Sequence, residues 1–368
     1  MMMNHLQRSC AAIVLSALAL IACATCLLAL ERIIVAPAKT HFITAESGQT
    51  FSPWGFNYDH DSDGRLLEDY WHDEWSTVVE DFREMKQLGA NVVRIHLQVG
   101  RFMDSPTAPN ARELKRLAQL LEVAEAVGLH LDITGLGCYH KADVPDWYPT
   151  LSEKERWAVQ AAFWTAVART CKASPAVFCY DLMNEPVLPG ANKTETEWLL
   201  GELGGKHFVQ RISLDLAGRT RPEVARQWVQ HLTTAIRQQD EHRLITVGVI
   251  PWALTFPGAK PIFYAEPIAP YLDFVSVHFY PERGQIDRAL DALKTYELGK
   301  PLVVEEIFPL KCDLDELADF IKRAEHVDGW IGFYWGTPPD AFPQQNPTIS
   351  QAIQKGWLEF FQKGRSGI

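Results

Sequence analysis

The sequence predicts an α/β fold, a (β/α)8 TIM barrel with inserted loops at its C-terminal face. Eight short segments rich in β-branched or aromatic residues occur along the chain, and amphipathic helical stretches lie between most of them. Alternating strands and helices favour a parallel sheet, and eight repeats favour closure into a barrel. The chain of 368 residues also suits one barrel of about 250 residues with insertions.

The order of strands and helices follows from the spacing of the apolar residues. Capping-box spacing, Ser152 with Glu155 and Asp313 with Glu316, marks two helix starts. Prolines punctuate the segment after the fifth strand, so we expect a small or irregular helix there. An open doubly wound sheet is the alternative, but no Gly-x-Gly-x-x-Gly turn follows the first strand. The predicted strands cover residues 54–58, 91–97, 129–134, 177–184, 244–250, 274–280, 302–306 and 330–335. The predicted helices cover residues 74–88, 111–127, 152–172, 222–239, 285–296, 314–327 and 350–362.

The first 30 residues resemble an export leader. Arg8 precedes an apolar run over residues 10–30, which is the pattern of a secretory signal. Three alternatives stay open: an Ala-Cys-Ala cleavage site, a lipobox in which Cys23 is lipidated, and an uncleaved membrane anchor. We therefore expect an exported protein, whether secreted, periplasmic or membrane-anchored. Residues 1–30 would be the leader and 31–368 a single domain.

Composition excludes several classes of protein. With 47% hydrophobic and 22% charged residues, the chain is too apolar for disorder. It has 35 basic and 46 acidic residues, a net charge of −11, so we expect no nucleic-acid partner. Its 12 Trp, 10 Tyr and 18 Phe exceed what packing needs, and some should line a binding cleft. We expect a monomer.

The cysteines give no sign of a metal centre or a disulfide framework. Beyond the leader, Cys171 and Cys179 are close enough in sequence to pair, or they are ordinary buried thiols. No Cys-x-x-Cys pair with a matching His spacing occurs, so we expect no structural metal. No motif in the chain implies a cofactor.

Unusual polar residues collect at the predicted C-terminal ends of the strands, which converge on the mouth of a barrel. A charge inside a barrel must be paired or used, because desolvating it alone is costly. Residues two apart share one face of a strand, which would bring such side chains together in pairs. The set is Arg94 and His96 on the second strand, Asn184 and Glu185 on the fourth, His278 and Tyr280 on the sixth, Glu305 and Glu306 on the seventh, and Trp335 on the eighth.

In these residues the chain resembles glycoside hydrolase family 5 of clan A, the cellulase and mannanase group. The similar segments are Leu-Met-Asn-Glu-Pro at 182–186, His-Phe-Tyr at 278–280 and Lys-Pro-Leu-Val-Val-Glu-Glu at 300–306. The resemblance extends from about residue 51 to about residue 361. It implies a (β/α)8 glycosidase that hydrolyses a β-linked oligo- or polysaccharide with retention of configuration.

The resemblance implies a role for each site residue. Glu185 would be the acid/base and Glu306 the nucleophile of a double displacement. The supporting residues would be Arg94 beside the nucleophile, Asn184 on the sugar 2-hydroxyl, His278 near the acid/base, Tyr280 on the nucleophile, and Trp335 as the platform under the reacting sugar.

Cleavage of a glycosidic bond needs one protonated and one ionised carboxyl group. Arg94 and Tyr280 would favour the charged form of Glu306, whereas Glu185 would hold its proton. Adjacent strand residues point to opposite faces, so we expect Glu306 to face inward and Glu305 to face the helices. Glu305 would then either pair with a basic group or line the rim. The family's Pro-apolar-apolar-apolar-x pattern before the nucleophile also favours Glu306.

Two departures from the family pattern bear on specificity. The third strand ends at Thr134, where members often carry His. Either His96 or His140 serves that subsite instead, or the subsite itself differs. The Gly that commonly follows the nucleophile is replaced by Ile307.

The alternatives are a catalytically silent carbohydrate-binding barrel and a transglycosylase with the same site. A metal-dependent barrel hydrolase using His96, His140 and His278 is disfavoured, because the first strand lacks a His-x-His pair.

Overall fold

The structure is a computed structural model that describes residues 30–364; the predicted leader, up to residue 29, lies outside the described residues. Its centre is a barrel of parallel strands surrounded by helices, which confirms the predicted fold class. The barrel strands are β1 (Trp54–Tyr58), β2 (Val92–Gln98), β3 (His130–Gly137), β4 (Val177–Asp181), β5 (Leu244–Thr246 and Gly248–Val249), β6 (Val275–His278), β7 (Leu302–Ile307) and β8 (Gly329–Gly332).

The barrel closes at β5. The first segment of this strand pairs with β4 and the second pairs with β6, while β8 pairs with β1. Val247 separates the two segments, and its N–H and C=O both bond to the hydroxyl of Tyr264, at 3.2 and 2.7 Å. The side chain of Tyr264 therefore replaces one step of the strand ladder without leaving buried backbone groups unpaired.

The helices form the outer layer at the predicted places. Both predicted capping boxes are present, and Gly128 ends the second helix in the left-handed conformation, at φ 78°. The helix after β5 is a single turn, as the prolines indicate. Two short helices, Leu67–Tyr70 and Val99–Phe102, lie in the loops after β1 and β2. The other α-helices are α1 (Trp75–Gln87), α2 (Ala111–Val127), α3 (Glu153–Cys171), α4 (Arg221–Arg237), α5 (Trp252–Thr255), α6 (Ile286–Leu293), α7 (Leu314–Arg323) and α8 (Ile349–Gly364).

A small antiparallel sheet closes the N-terminal end of the barrel. Its three strands are Ile33–Val35, Phe42–Thr44 and Thr50–Phe51, which we did not predict because each is too short to give a clear pattern. The ring of Phe42 packs edge-on against Phe178 and Phe274 inside the barrel, at centroid distances of 5.3 and 5.2 Å. Aromatic packing therefore fills the barrel interior at this end, and the C-terminal ends of the strands form the opposite mouth.

The longest insertion follows β4 and folds back over that mouth. Its Pro186–Val187 segment pairs with Gln210–Arg211. Farther along, the N–H of His207 donates to the carbonyl of Tyr139 after β3, at 2.8 Å. The insertion therefore forms part of the wall around the strand ends, as the predicted inserted loops require.

Cys138, Cys171, Cys179 and Cys312 are free, and the first three are buried. Cys171 and Cys179 are therefore ordinary buried thiols. Within residues 30–364, no helix is both long and apolar enough to cross a membrane.

Candidate active site

Arg94 on β2 is the centre of the polar cluster at the barrel mouth. Its side chain is fully buried and donates hydrogen bonds to five acceptors at the ends of four strands. The acceptors are Thr134 at 2.8 Å, Asn57 at 2.9 Å, Glu306 at 2.7 Å, Asp181 at 2.9 Å and Asn184 at 2.8 Å. Buried negative charge around the guanidinium outweighs the effect of desolvation and raises the pKa of Arg94. Arg94 is thus a permanent buried cation that fixes the strand ends relative to one another.

Glu306 on β7 is held by two donors. Its Oε1 accepts from Arg94, and its Oε2 accepts from the hydroxyl of Tyr280 at 2.7 Å. Only 8% of Glu306 is exposed. Burial raises its pKa above the ordinary value, although His278 and Arg94 act in the opposite direction. We expected Arg94 and Tyr280 to keep this pKa low; in the structure the cost of desolvation is the larger effect.

Glu185 follows β4 in a left-handed backbone conformation, with φ 45°. This conformation is uncommon for residues other than Gly and occurs often at functional sites. Its N–H donates to the carbonyl of Gly248, and its carboxylate Oε1 lies 2.9 Å from Nδ1 of His278. One carboxylate oxygen of Glu185, one ring nitrogen of His278 and one carboxylate oxygen of Glu306 all lie within 4.8 Å of one another. The structure thus brings the two predicted carboxyl groups together.

His278 on β6 lies between these carboxyl groups. Its Nδ1 is 3.4 Å from Glu306 Oε1 as well as 2.9 Å from Glu185. Burial alone would lower its pKa, but Glu306 and the other surrounding carboxylates raise the pKa of His278 to about 10. These carboxylates therefore favour the protonated, cationic form of the imidazole.

The three donor atoms are close enough to surround a metal ion. Each of them, however, already faces a partner of opposite charge or a hydroxyl within the cluster, through His278, Arg94 or Tyr280. The carboxylate oxygens and the ring nitrogen are thus paired with one another or with Arg94 and Tyr280. This arrangement suits proton transfer better than cation binding, so we assign no metal here.

Our expectation that Glu305 faces the helices was wrong, whereas Glu305 does pair with basic groups, Arg94 and His278. Both Glu305 and Glu306 point into the barrel, and both lie within ion-pair distance of Arg94, at 3.7 and 2.7 Å. The pairing of β7 is irregular: His278 pairs with Glu306 although Val277 pairs with Val304, so Glu305 is an extra residue. Such a bulge breaks the alternation of faces on which the expectation depended.

The prediction for Trp335 needs a correction as well. Its side chain is fully buried and packs beside Phe56, which in turn contacts Phe361 of α8. The N–H of Trp335 bonds to the carbonyl of Asn57 on β1, so its backbone still follows β1, but its side chain is directed away from the mouth, towards Phe56 and Asp81 of α1. Trp335 therefore cannot lie under a sugar.

The aromatic ring that faces the mouth at β8 is Phe333. Along this strand Ile331 lies in the inner core, whereas a side chain at Gly332 would meet Trp357 of α8. By alternation, Phe333 is the next inward residue. It is half-buried, and its N–H donates to the carbonyl of Ile307, next to Glu306.

The remaining predicted residues occupy different places. Asn184 accepts from Arg94 and donates to the carbonyl of Phe208 in the insertion, at 3.0 Å, so it links the strand end to that loop. His96 is buried between Tyr139 and Asn57, and burial holds its pKa well below the usual value. It is a neutral supporting group.

His140 is separate from the cluster. It lies 3.9 Å from Asp69 on the outer side of the mouth.

Three buried polar residues of the cluster were missed. They are Asn57 on β1, Asp132 on β3 and Asp181 on β4, all fully buried. A polar residue in the middle of a hydrophobic strand is the signal that could have identified them, because parallel barrel strands are otherwise apolar on both faces.

Comparison with known proteins agrees with this geometry. Residues 45–306 match the family described as Cellulase (glycosyl hydrolase family 5). The chain belongs to glycosyl hydrolase family 5. It is accordingly a glycosidase, as the strand-end residues predict. No curated protein matches the chain.

Solved structures similar to this family 5 chain share its fold at low sequence identity. The exo-β-1,4-mannosidase Op5Man5 from Opitutaceae bacterium strain TAV5 has a TM-score of 0.63 at 17% identity, over 89% of this chain and 61% of that one. The β-mannanase of the blue mussel Mytilus edulis has a TM-score of 0.61 at 15% identity, over 92% of this chain and 97% of that chain. The catalytic domain of Thermobifida fusca endoglucanase Cel5A has a TM-score of 0.57 at 16% identity, over 90% of this chain and 98% of that chain.

Proposed function

We propose that this glycosidase is a retaining β-glycoside hydrolase, with Glu306 as nucleophile and Glu185 as acid/base. The observation that carries the proposal is the short separation of the two carboxyl groups, whose oxygens lie within 4.8 Å. Retaining enzymes hold the pair about 5–5.5 Å apart, whereas inverting enzymes leave about 6.5–9.5 Å for a water molecule. The separation here fits direct attack by the nucleophile.

The reaction would proceed in two displacements. Glu306 attacks the anomeric carbon, and the bond to the leaving oxygen breaks as Glu185 transfers its proton to that oxygen. A glycosyl ester on Glu306 results. Glu185, now ionised, takes a proton from water, whose oxygen attacks the same carbon and releases Glu306.

The supporting residues have roles that follow from their contacts. Arg94 and Tyr280 fix both oxygens of Glu306, so its attacking lone pair has one orientation. Asn184 is held by Arg94 beside the acid/base, where its remaining amide hydrogen can reach a sugar hydroxyl. Phe333, rather than Trp335, would supply the aromatic face under the reacting ring.

The substrate we propose is a β-1,4-linked hexose oligo- or polysaccharide, with mannan first. Solved structures similar to this chain include an exo-β-1,4-mannosidase, β-mannanases and an endoglucanase, which supports this class. They also include two structures of a β-glucuronidase, at lower TM-scores of 0.52 and 0.53. The insertion after β4, seated on Tyr139, would shape the sugar-binding side of the mouth.

The experiment compares Glu306→Ala, Glu185→Ala and Glu122→Ala on aryl β-mannosides and β-glucosides. Glu122 is an exposed residue of α2 and serves as the matched control. We expect Glu306→Ala to lose turnover and, with azide, to give the α-glycosyl azide, because azide attacks the free face. Glu185→Ala should give the β-glycosyl azide from a substrate with an activated leaving group. Wild-type turnover in both variants would refute the assignment, and a wild-type enzyme inactive on every β-glycan would favour a silent binding barrel.

A further inference from the structure

A second carboxylate of β7 lies beneath the catalytic pair. Glu305 is fully buried inside the barrel, one residue before Glu306. The space it occupies exists because position 248 on β5 is Gly: a Cβ there would lie 2.4 Å from Glu305 Oε2 and 2.7 Å from His278 Nε2. The neighbouring strand thus leaves room for the contact between Glu305 and His278.

The negative charge of Glu305 is compensated by nearby cationic groups rather than by donated hydrogen bonds. Its Oε2 lies 3.4 Å from Nε2 of His278 and 3.7 Å from Nη2 of Arg94. Neither of its oxygens has a hydrogen-bond donor among the described side chains, and the same holds for Asp132 on β3. Two adjacent buried carboxyl groups without other donors can satisfy each other by sharing one proton.

His278 therefore faces a carboxylate on each side of its ring. Nδ1 lies towards Glu185 and Glu306 at the mouth, and Nε2 lies towards Glu305 in the interior. A neutral imidazole carries one N–H and can direct it at only one of these sides, whereas an imidazolium directs one N–H towards the mouth and the other towards Glu305.

We propose that Glu305 is a positioning residue that, from inside the barrel, holds His278 as a cation with its Nδ1–H directed at the catalytic pair. The proposal rests on the function proposed above. As Glu185 gives up its proton to the leaving group, negative charge develops beside Nδ1, and a fixed cation there stabilises it. Glu305 itself touches neither the substrate nor the reacting atoms.

The surrounding titratable groups agree with this assignment. Burial would raise the pKa of Glu305, but Arg94 and His278 outweigh burial and lower that pKa to about 2. Burial and the charge of Glu305 raise the pKa of Asp132. The other titratable or charged groups facing Glu305 and His278 are Arg94 and His96 on β2, Cys179 and Asp181 on β4, Glu185 after β4, Tyr264 after α5, Tyr280 after β6 and Glu306 on β7.

The test is a ¹⁵N NMR titration of the histidine side chains, with His278 assigned from the signal lost in His278→Asn. In the wild-type enzyme we expect His278 to stay doubly protonated from about pH 5 to about pH 9. Glu305→Gln keeps the size of the side chain but removes its charge, and should lower the His278 midpoint by about one pH unit or more. Glu305→Asp should retain most of the wild-type behaviour.

Asp132→Asn is the matched control, a carboxyl-to-amide change at the same depth that leaves Glu305 charged. It should move the His278 midpoint by less than about 0.3 units. An equal shift in both amide variants, or no shift in Glu305→Gln, would overturn the proposal. If Glu305→Gln does not fold, the wild-type titration still decides, because a midpoint near the ordinary histidine value contradicts a cationic His278. The titration needs no turnover, so it can fail or succeed independently of the glycosidase assignment.

Discussion

Replacing Arg94 by lysine keeps the charge but removes the planar fork of donors. Arg94 satisfies five acceptors, two of them carboxylates, while a lysine ammonium has three N–H groups. At least two acceptors would therefore lose their partner in a buried cluster. At about 1 kcal/mol for a neutral acceptor and about 1.5–3 kcal/mol for a charged one, we expect unfolding free energy to fall by about 2–5 kcal/mol.

The same substitution should reduce catalysis. If the ammonium group introduced by Arg94→Lys no longer holds Oε1 of the nucleophile, kcat/KM should fall by about 10²–10³-fold, which corresponds to about 2.7–4 kcal/mol. Urea unfolding and steady-state hydrolysis of an aryl β-mannoside measure the two effects. Arg112→Lys, on the exposed start of α2, is the control. An Arg94→Lys enzyme within about threefold of wild type in kcat/KM and as stable as the control would refute this account of the cluster.

Three further predictions follow from the site. Because the pKa of Glu306 is raised above its ordinary 4.5, the acid limb of kcat/KM against pH should have its midpoint above about 4.5; a lower midpoint would contradict the burial argument. Because the folded-state pKa of His278 is raised to about 10, its contribution to stability is complete below about pH 6.5 and is lost as pH rises towards 10. Urea unfolding at several pH values should show this loss in wild type and a smaller one in His278→Asn. Finally, Phe333→Ala should raise KM with little loss of stability, whereas Trp335→Ala should lower unfolding free energy by about 3–5 kcal/mol; equal effects on KM would restore Trp335 as the platform.

Much of the fold could be predicted because apolar periodicity reports burial directly. The strand at 54–58 and the helix at 111–127 match the structure to the residue. The three strands of the N-terminal sheet span only two or three residues each, too few for a periodic signal.

The errors in the site have one physical origin. Strand alternation places a side chain correctly only while the ladder is regular, and β7 has a bulge where Glu305 and Glu306 lie. The end of β8 is similar: Phe333 is the last residue directed at the mouth, and the side chain of Trp335 is fully buried beside Phe56. A single sequence carries no signal for either irregularity. The residues at the mouth could still be predicted, because a residue reaches the mouth by lying at the C-terminal end of a strand, and strand ends can be read from the sequence.

In the mechanism we propose, Glu306 attacks the sugar while Glu185, which has an oxygen within 4.8 Å of Glu306, transfers its proton to the leaving oxygen. Inactivation with a 2-deoxy-2-fluoro β-glycoside that has a good leaving group, followed by peptide mapping by mass spectrometry, tests it directly. We predict one covalently bound sugar per enzyme, attached as an ester at Glu306. Attachment at Glu185 or Glu305, or rapid hydrolysis of β-glycosides by an enzyme that never forms the adduct, would contradict the account.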